Sequence, residues 1–167
     1  MNIKYLVMDV DGTLTDGKIY MGESGELFKA FDVKDGYGIN VLLPQVGIKP
    51  VIITGRKSKI LENRCKEIGI KHLFQGVSNK LSVLEEFILS ENTSYSRLAY
   101  IGDDMNDYDC INIIKNNNGL IGCPCDAVDD IRGISDFVSA KKGGTGAVRE
   151  FIEMIIGEIR NEDDKTT

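Results

Sequence analysis

The 167-residue sequence predicts an α/β protein: a parallel β-sheet with helices on both faces and one small inserted β-hairpin. Three observations carry that expectation. Short apolar runs bounded by turn residues recur along the chain, most of them alternate with segments of helical period, and one Gly-rich stretch breaks the alternation. Strands that alternate with helices pair in parallel and are covered on both faces.

The expected strands are the apolar runs at 3–8, 51–53, 70–74, 98–101, 120–122 and 137–138. Between them, segment 57–68 carries Ile60, Leu61, Cys65 and Ile68 on one helical face, and segment 80–89 carries Leu81, Leu84, Phe87 and Ile88. Segments 106–114 and 146–159 have the same period. Residues 17–31, which include KIYMGESGELFKAF, read instead as strand, turn and strand. Ile19, Met21, Leu27 and Ala30 would give that hairpin an uncovered apolar face. A hairpin is marginal alone, so packing against another subunit is expected. Residues 1–160 read as one domain, and NEDDKTT at 161–167 as a polar, mobile tail.

Hydrophobic residues make up 42% and charged residues 28%, as in ordinary globular proteins. A formal charge of −6 argues against a nucleic-acid partner and against an acidic membrane surface. An anionic small molecule would then need a local cation. No apolar run approaches the ~18 residues of a membrane span, and the opening MNIKYLVMDVDG is too soon interrupted by acids for a secretory signal, so a cytoplasmic location is expected. The four cysteines read as reduced thiols. Cys123 and Cys125 flank a proline and could be called a metal pair, but with His72 the only histidine a zinc site is poorly supplied.

Chemistry gathers at the ends of the expected strands. In VMDVDGTLTDG, Asp9 and Asp11 fall where strand one gives way to a loop, so both carboxylates can approach one point above the sheet edge. Two such anions repel unless a cation sits between them or one takes a proton. Acids at strand ends also cap turns, and a lone pair spaced this way is common. The second cluster, YIGDDMND, again ends a strand in acids: Asp103 and Asp104, then Asp107 at a helix start. Asp104 or Asn106 could be simple caps there, and Asp107 could merely favour the positive end of the helix. Hard oxygen donors with almost no histidine suit Mg²⁺. In VIITGRKS, Thr54 and Gly55 lie between a strand and a helix, a ready anion site. QGVSNK offers Lys80, a cation placed to neutralise both the acids and an incoming phosphate.

The ordered set DVDGTLTD, ITGR, K and GDDMND resembles the haloacid dehalogenase superfamily of phosphotransferases. That resemblance implies a Rossmann-like core and an aspartyl-phosphate mechanism that depends on Mg²⁺. Carried over, it makes Asp9 the nucleophile and Asp11 the general acid/base, with Thr54 and Lys80 holding the phosphoryl group. Asp9, the backbone carbonyl of Asp11 and Asp103 would bind Mg²⁺, with Asp104 and Asp107 in support. FDVKDGYGI, FQGVSNK and GGTGAVREF extend the likeness to the small-capped group containing 3-deoxy-D-manno-octulosonate 8-phosphate phosphatase, over about residues 3–155. It implies a homotetramer with assembled hairpins and a phosphorylated sugar acid as substrate.

Arg56 would grip the sugar carboxylate beside Gly55, with Lys34 and Asp35 as further pocket candidates. Arg56 could instead pair with an acid such as Glu62 or Asp35, and Arg149 could reach substrate or only pack. The nine-carbon sialic-acid-type 9-phosphates are the alternative substrate, in a group that can carry a glutamate where Arg56 stands. A phospho-receiver and an inactive regulatory module are the remaining alternatives. Asn79 stands where this group often has an acid, and Thr13 where an apolar residue is common. His72, in an apolar strand, is read as structural.

Overall fold

Strand β1, Tyr5–Met8, is buried at every position and lies inside a six-stranded sheet. The computed structural model describes residues 2–165. After β1 come the hairpin strands β2, Tyr20–Gly22, and β3, Gly25–Phe28. Helix α1, Val33–Tyr37, runs through a π-helical turn at Gly38–Leu42 into α2, Leu43–Gln45. Then follow β4 (Lys49–Ile53), α3 (Lys59–Glu67), β5 (His72–Phe74), α4 (Lys80–Ser90), β6 (Leu98–Ile101) and α5 (Tyr108–Asn116). The chain closes with β7 (Leu120–Cys123), α6 (Asp129–Ile134), β8 (Phe137–Val138) and α7 (Ala147–Lys165).

The sheet order is β5-β4-β1-β6-β7-β8, and every neighbouring pair is parallel. This is the expected α/β class, a Rossmann-like sheet with helices on both faces. The hairpin forms its own antiparallel pair outside the sheet. Alternation along β1 sorts the two cores. Leu6 and Met8 join a cluster with Ile52, Ile101, Leu61 and Phe151, whereas Tyr5 and Val7 join Ile53, Tyr100, Leu84, Phe87 and Ile111. Helices α3 and α7 therefore cover one face, and α4 and α5 the other. His72 sits edge-on to the rings of Tyr5 and Phe87, a packing environment.

Helix α6 is an element that the sequence pattern does not announce: six residues with only Ile131 buried carry too little period to register. At the other end, α7 continues through residues 161–165, into the segment read as a tail, while 166 and 167 lie outside the described residues. None of the described helices is long and apolar enough to cross a membrane.

Candidate active site

From β1 the chain moves outward through β4 to β5 and then returns to β6 on the other side of β1, so the strand order reverses there. In open parallel sheets ligands sit beyond the carboxyl ends of the strands at such a point. Asp9 directly follows β1, Thr54 directly follows β4, and Asp103 lies two residues past β6. Asp9 also continues the odd-numbered register of Tyr5 and Val7, the face covered by α4 and α5. Those two helices begin with the remaining charges, Lys80 at the first residue of α4 and Asp107 immediately before α5.

Lys80 Nζ lies 2.7 Å from Asp9 Oδ1 and 2.7 Å from Asp107 Oδ1. All three side chains are at most 4% exposed, so the pairs are shielded from water and salt. Tyr100 donates its hydroxyl hydrogen to Asp107 Oδ1 at 2.6 Å, and the Asp103 N–H donates to Asp107 Oδ2 at 3.2 Å. Thr13 donates to Asp103 Oδ1 at 2.9 Å. Asp107 is thereby the hub that aligns Lys80 and the Asp103 loop. Asp104 is exposed and caps the following turn through the Met105 N–H at 2.7 Å.

Carboxylate oxygens of Asp9, Asp103 and Asp107 lie within 4.8 Å of one another. Three carboxylates against the single Lys80 ammonium leave two negative charges, the complement of a divalent cation. An all-oxygen donor set suits Mg²⁺ rather than zinc. Cys65, Cys110 and Cys123 are buried thiols, and among the described residues the cysteines join no metal-ligating group. Two glycines let the acids come this close. A Cβ on Gly12, at φ +95°, would lie 2.0 Å from an Asp103 carboxylate oxygen, and one on Gly102 would lie 2.5 Å from the Asp107 carboxylate.

The electrostatics without metal are strained in a readable direction. Burial pushes Asp103 up to about 7, with the Thr13 hydrogen bond opposing and the Asp107 charge assisting. Asp9 is raised by burial and then by Asp107, against the pull of Lys80. Burial pulls Lys80 down, but Asp107 and Asp9 outweigh it and keep the ammonium charged. A carboxyl held higher when folded than when unfolded binds the extra proton only in the native state. Its contribution to stability is complete at acid pH and is lost as pH rises through the folded value. The metal-free protein is therefore expected to melt at lower temperature as pH rises from about 5 to about 7.5, with added Mg²⁺ restoring Tm mainly at the upper end. Thermal melts with and without Mg²⁺ check this; a metal-free Tm independent of pH would contradict it.

Asp11 faces a different set of partners. The hairpin residue Lys29, only 5% exposed, donates to Asp11 Oδ1 and lies 3.1 Å from Glu26 Oε1. Ser58 donates to Glu26 Oε2. Arg56 stands 3.8 Å from Asp11 and 3.7 Å from Glu26. Its ion-pair neighbours are thus these two acids, rather than Glu62 or Asp35. Thr54 is buried and fixed by its backbone, donating to the Phe74 carbonyl at 2.9 Å and accepting from the Val77 N–H at 3.1 Å. Gly55 is exposed beside it. Asn79 caps α4 by accepting from the Ser82 N–H at 3.1 Å, the work an acid would do at that position.

The remaining pocket candidates lie elsewhere. Asp35 is 1% exposed and accepts from the Arg149 N–H at 2.8 Å, so it ties α1 to the start of α7 instead of facing solvent. Its inward position follows the helix register, which the FDVKDGYGI motif does not reveal. Lys34 is exposed on α1. Arg149 packs over the Tyr37 ring and pairs with Glu153 at 2.7 Å. The GGTG loop bears directly on the site loop: the Gly144 N–H donates to the Thr13 carbonyl at 3.0 Å. Glu26 and Lys29 are site residues outside the quoted motifs, and Thr13 and Tyr100 lie within them without a role that the motif assigns. Only the register of Tyr100, shared with Leu98 on the α4–α5 face, hints at its role.

No family model matches the chain. It is 43% identical over 155 residues to the 3-deoxy-D-manno-octulosonate 8-phosphate phosphatase of Escherichia coli K12, covering 93% of this chain and 80% of that protein. The crystal structure of the Yersinia pestis enzyme of that name is similar at TM-score 0.86 and 42% identity, covering 93% of this chain and 81% of that one. The Moraxella catarrhalis enzyme, solved with magnesium ion, phosphate ion and the octulosonate, is similar at TM-score 0.88 and 39% identity, covering 99% and 92%.

Proposed function

The chain belongs to the haloacid dehalogenase superfamily, among the relatives of 3-deoxy-D-manno-octulosonate 8-phosphate phosphatase, and from that premise we propose that it hydrolyses this eight-carbon sugar acid phosphate with Mg²⁺ as cofactor. The observation that carries the reading is the buried Asp9–Lys80–Asp107 set with half-buried Asp103 beside it and two uncompensated charges at the strand-order reversal. Asp9 and Asp103 would hold the ion together with the backbone carbonyl of Asp11, and Asp107 would orient the set with Asp104 at its margin. Bound there, Mg²⁺ supplies positive charge against the phosphoryl anion. Lys80 pulls Asp9 toward its ionised form against burial and Asp107 and would meet the phosphoryl oxygens, while Thr54 and Gly55 would offer the loop's donors.

The Asp9 carboxylate attacks phosphorus, forming an aspartyl phosphate as the ester P–O bond breaks. Asp11 gives its proton to the departing sugar oxygen. As a carboxylate it then takes a proton from the water that cleaves the aspartyl phosphate, releasing phosphate and regenerating Asp9. Arg56, partly exposed beside Asp11, would meet the sugar carboxylate as a planar fork, with Lys34, exposed on α1, as a further candidate. A guanidinium here favours the eight-carbon substrate over a nine-carbon sialic-acid-type 9-phosphate. Comparing kcat/KM for the two sugar phosphates, with and without Mg²⁺, tests the assignment. Arg56→Glu is expected to cost the octulosonate phosphate about tenfold or more beyond its effect on a simple aryl phosphate. Equal losses on both would refute carboxylate recognition.

A homotetramer built through the hairpins completes the proposal. Met21 and Leu27 are 59% and 60% exposed, and Ile19 and Phe28 about half exposed, on one small hairpin. Exposed apolar side chains of this size on so short a hairpin favour burial between subunits. Leu27→Glu is expected to shift the assembly toward smaller species in sedimentation; an unchanged sedimentation profile would place the interface elsewhere.

A further inference from the structure

Arg56 is flanked by two acids yet bonded closely to neither. Its separations from Asp11 Oδ2 and Glu26 Oε1, 3.8 and 3.7 Å, are ion-pair distances too long for hydrogen bonds. Its Nε is buried and has no hydrogen-bond partner. A guanidinium between two carboxylates ordinarily closes onto one of them as a bidentate fork. Here each acid is already committed. Lys29 takes Asp11 Oδ1 and also holds Glu26 Oε1 at 3.1 Å, and Ser58 takes Glu26 Oε2. The lysine that does this is 5% exposed and comes from the hairpin, an insertion outside the sheet.

Resting on the sugar-acid reading of Arg56, we propose that Lys29 is a positioning residue for specificity: it occupies Asp11 and Glu26 so that the Arg56 guanidinium stays open to the substrate carboxylate. Without the Lys29 ammonium, Asp11 and Glu26 lose their nearest cation and turn to the next one, Arg56. The arginine then enters the binding step already neutralised, and a carboxylate-bearing substrate must displace an internal acid. A phosphate ester lacking a carboxylate does not meet that competition. The hairpin thus contributes to substrate choice from within the same subunit.

The test is a double-mutant cycle with Lys29→Met and Arg56→Ala, assayed with Mg²⁺ on 3-deoxy-D-manno-octulosonate 8-phosphate and on p-nitrophenyl phosphate. In Lys29→Met, KM for the sugar acid phosphate is expected to rise about tenfold relative to that for the aryl phosphate, whatever happens to kcat as Asp11 loses its anchor. In the Arg56→Ala background the same Lys29 change is expected to leave the KM ratio unmoved. Lys29→Gln, nearly isosteric but uncharged, carries the same expectation if the methionine variant does not fold. A Lys29 effect of equal size on both substrates, or one that persists without Arg56, overturns the proposal. A native enzyme whose KM ratio is insensitive to Arg56→Ala alone would instead remove the sugar-acid reading beneath it, before any Lys29 variant is made.

Discussion

Asp9→Asn is expected to lower phosphatase turnover by roughly 10⁴-fold or more while the protein remains folded. An amide oxygen is a far weaker nucleophile than a carboxylate, and the neighbouring carboxylates of Asp107 and Asp103 are tied to Lys80, Tyr100 and Thr13. The side chain keeps its size in a position that is 3% exposed, and its amide oxygen still accepts from Lys80, so packing survives. The change also removes one of the three negative charges facing Lys80, which eases the repulsion with Asp107 that raises Asp9. The metal-free variant should therefore melt no lower than the native chain near neutral pH. Activity within a few-fold of native in a folded preparation would exclude Asp9 as the nucleophile.

Lys80→Met has the opposite balance, with a large effect on both activity and stability. The ammonium is 4% exposed and bonds two carboxylates at 2.7 Å, so its loss leaves Asp9 and Asp107 facing each other without a counter-charge. Removing one partner of a buried ionic cluster costs about 3–5 kcal/mol. One or both acids would take up a proton to relieve the repulsion, disabling the nucleophile, and kcat/KM is expected to fall roughly 10³-fold. Added Mg²⁺ should recover part of the lost Tm but little of the rate, since the phosphoryl oxygens still lack their cation. A methionine variant as stable as the native protein without metal would show that Lys80 is not the charge holding the acids together.

The strands were legible because each is short, apolar and bounded by turn residues, and the 98–101 run matches β6 residue for residue. Helices α3, α4 and α5 declared themselves by period, as their buried residues Leu61, Cys65, Leu84, Phe87, Cys110 and Ile111 recur on one face. The start of α3 moved by two residues because the Ser58 cap decides it, whereas α4 begins at Lys80, the residue expected, behind the Asn79 cap. Asp104 and Asp107 illustrate the limit. Three residues apart in one acidic run, one is an exposed cap and the other the 0% exposed hub of the site. Nothing local separates them, because Asp107 gains its role from Lys80 and Tyr100 on other elements.

Local pattern alone placed acids, a threonine loop and a lysine at strand and helix ends, since alternation and helical period are properties of neighbours in the chain. Packing decided which of those groups touch. Thr13 reaches Asp103 across 90 residues, Lys80 reaches Asp107 across 27, and Lys29 folds back 18 residues to Asp11. Such meetings depend on how helices settle on the two faces of the sheet and how the hairpin closes over its edge, and burial then gives the resulting charges their strength.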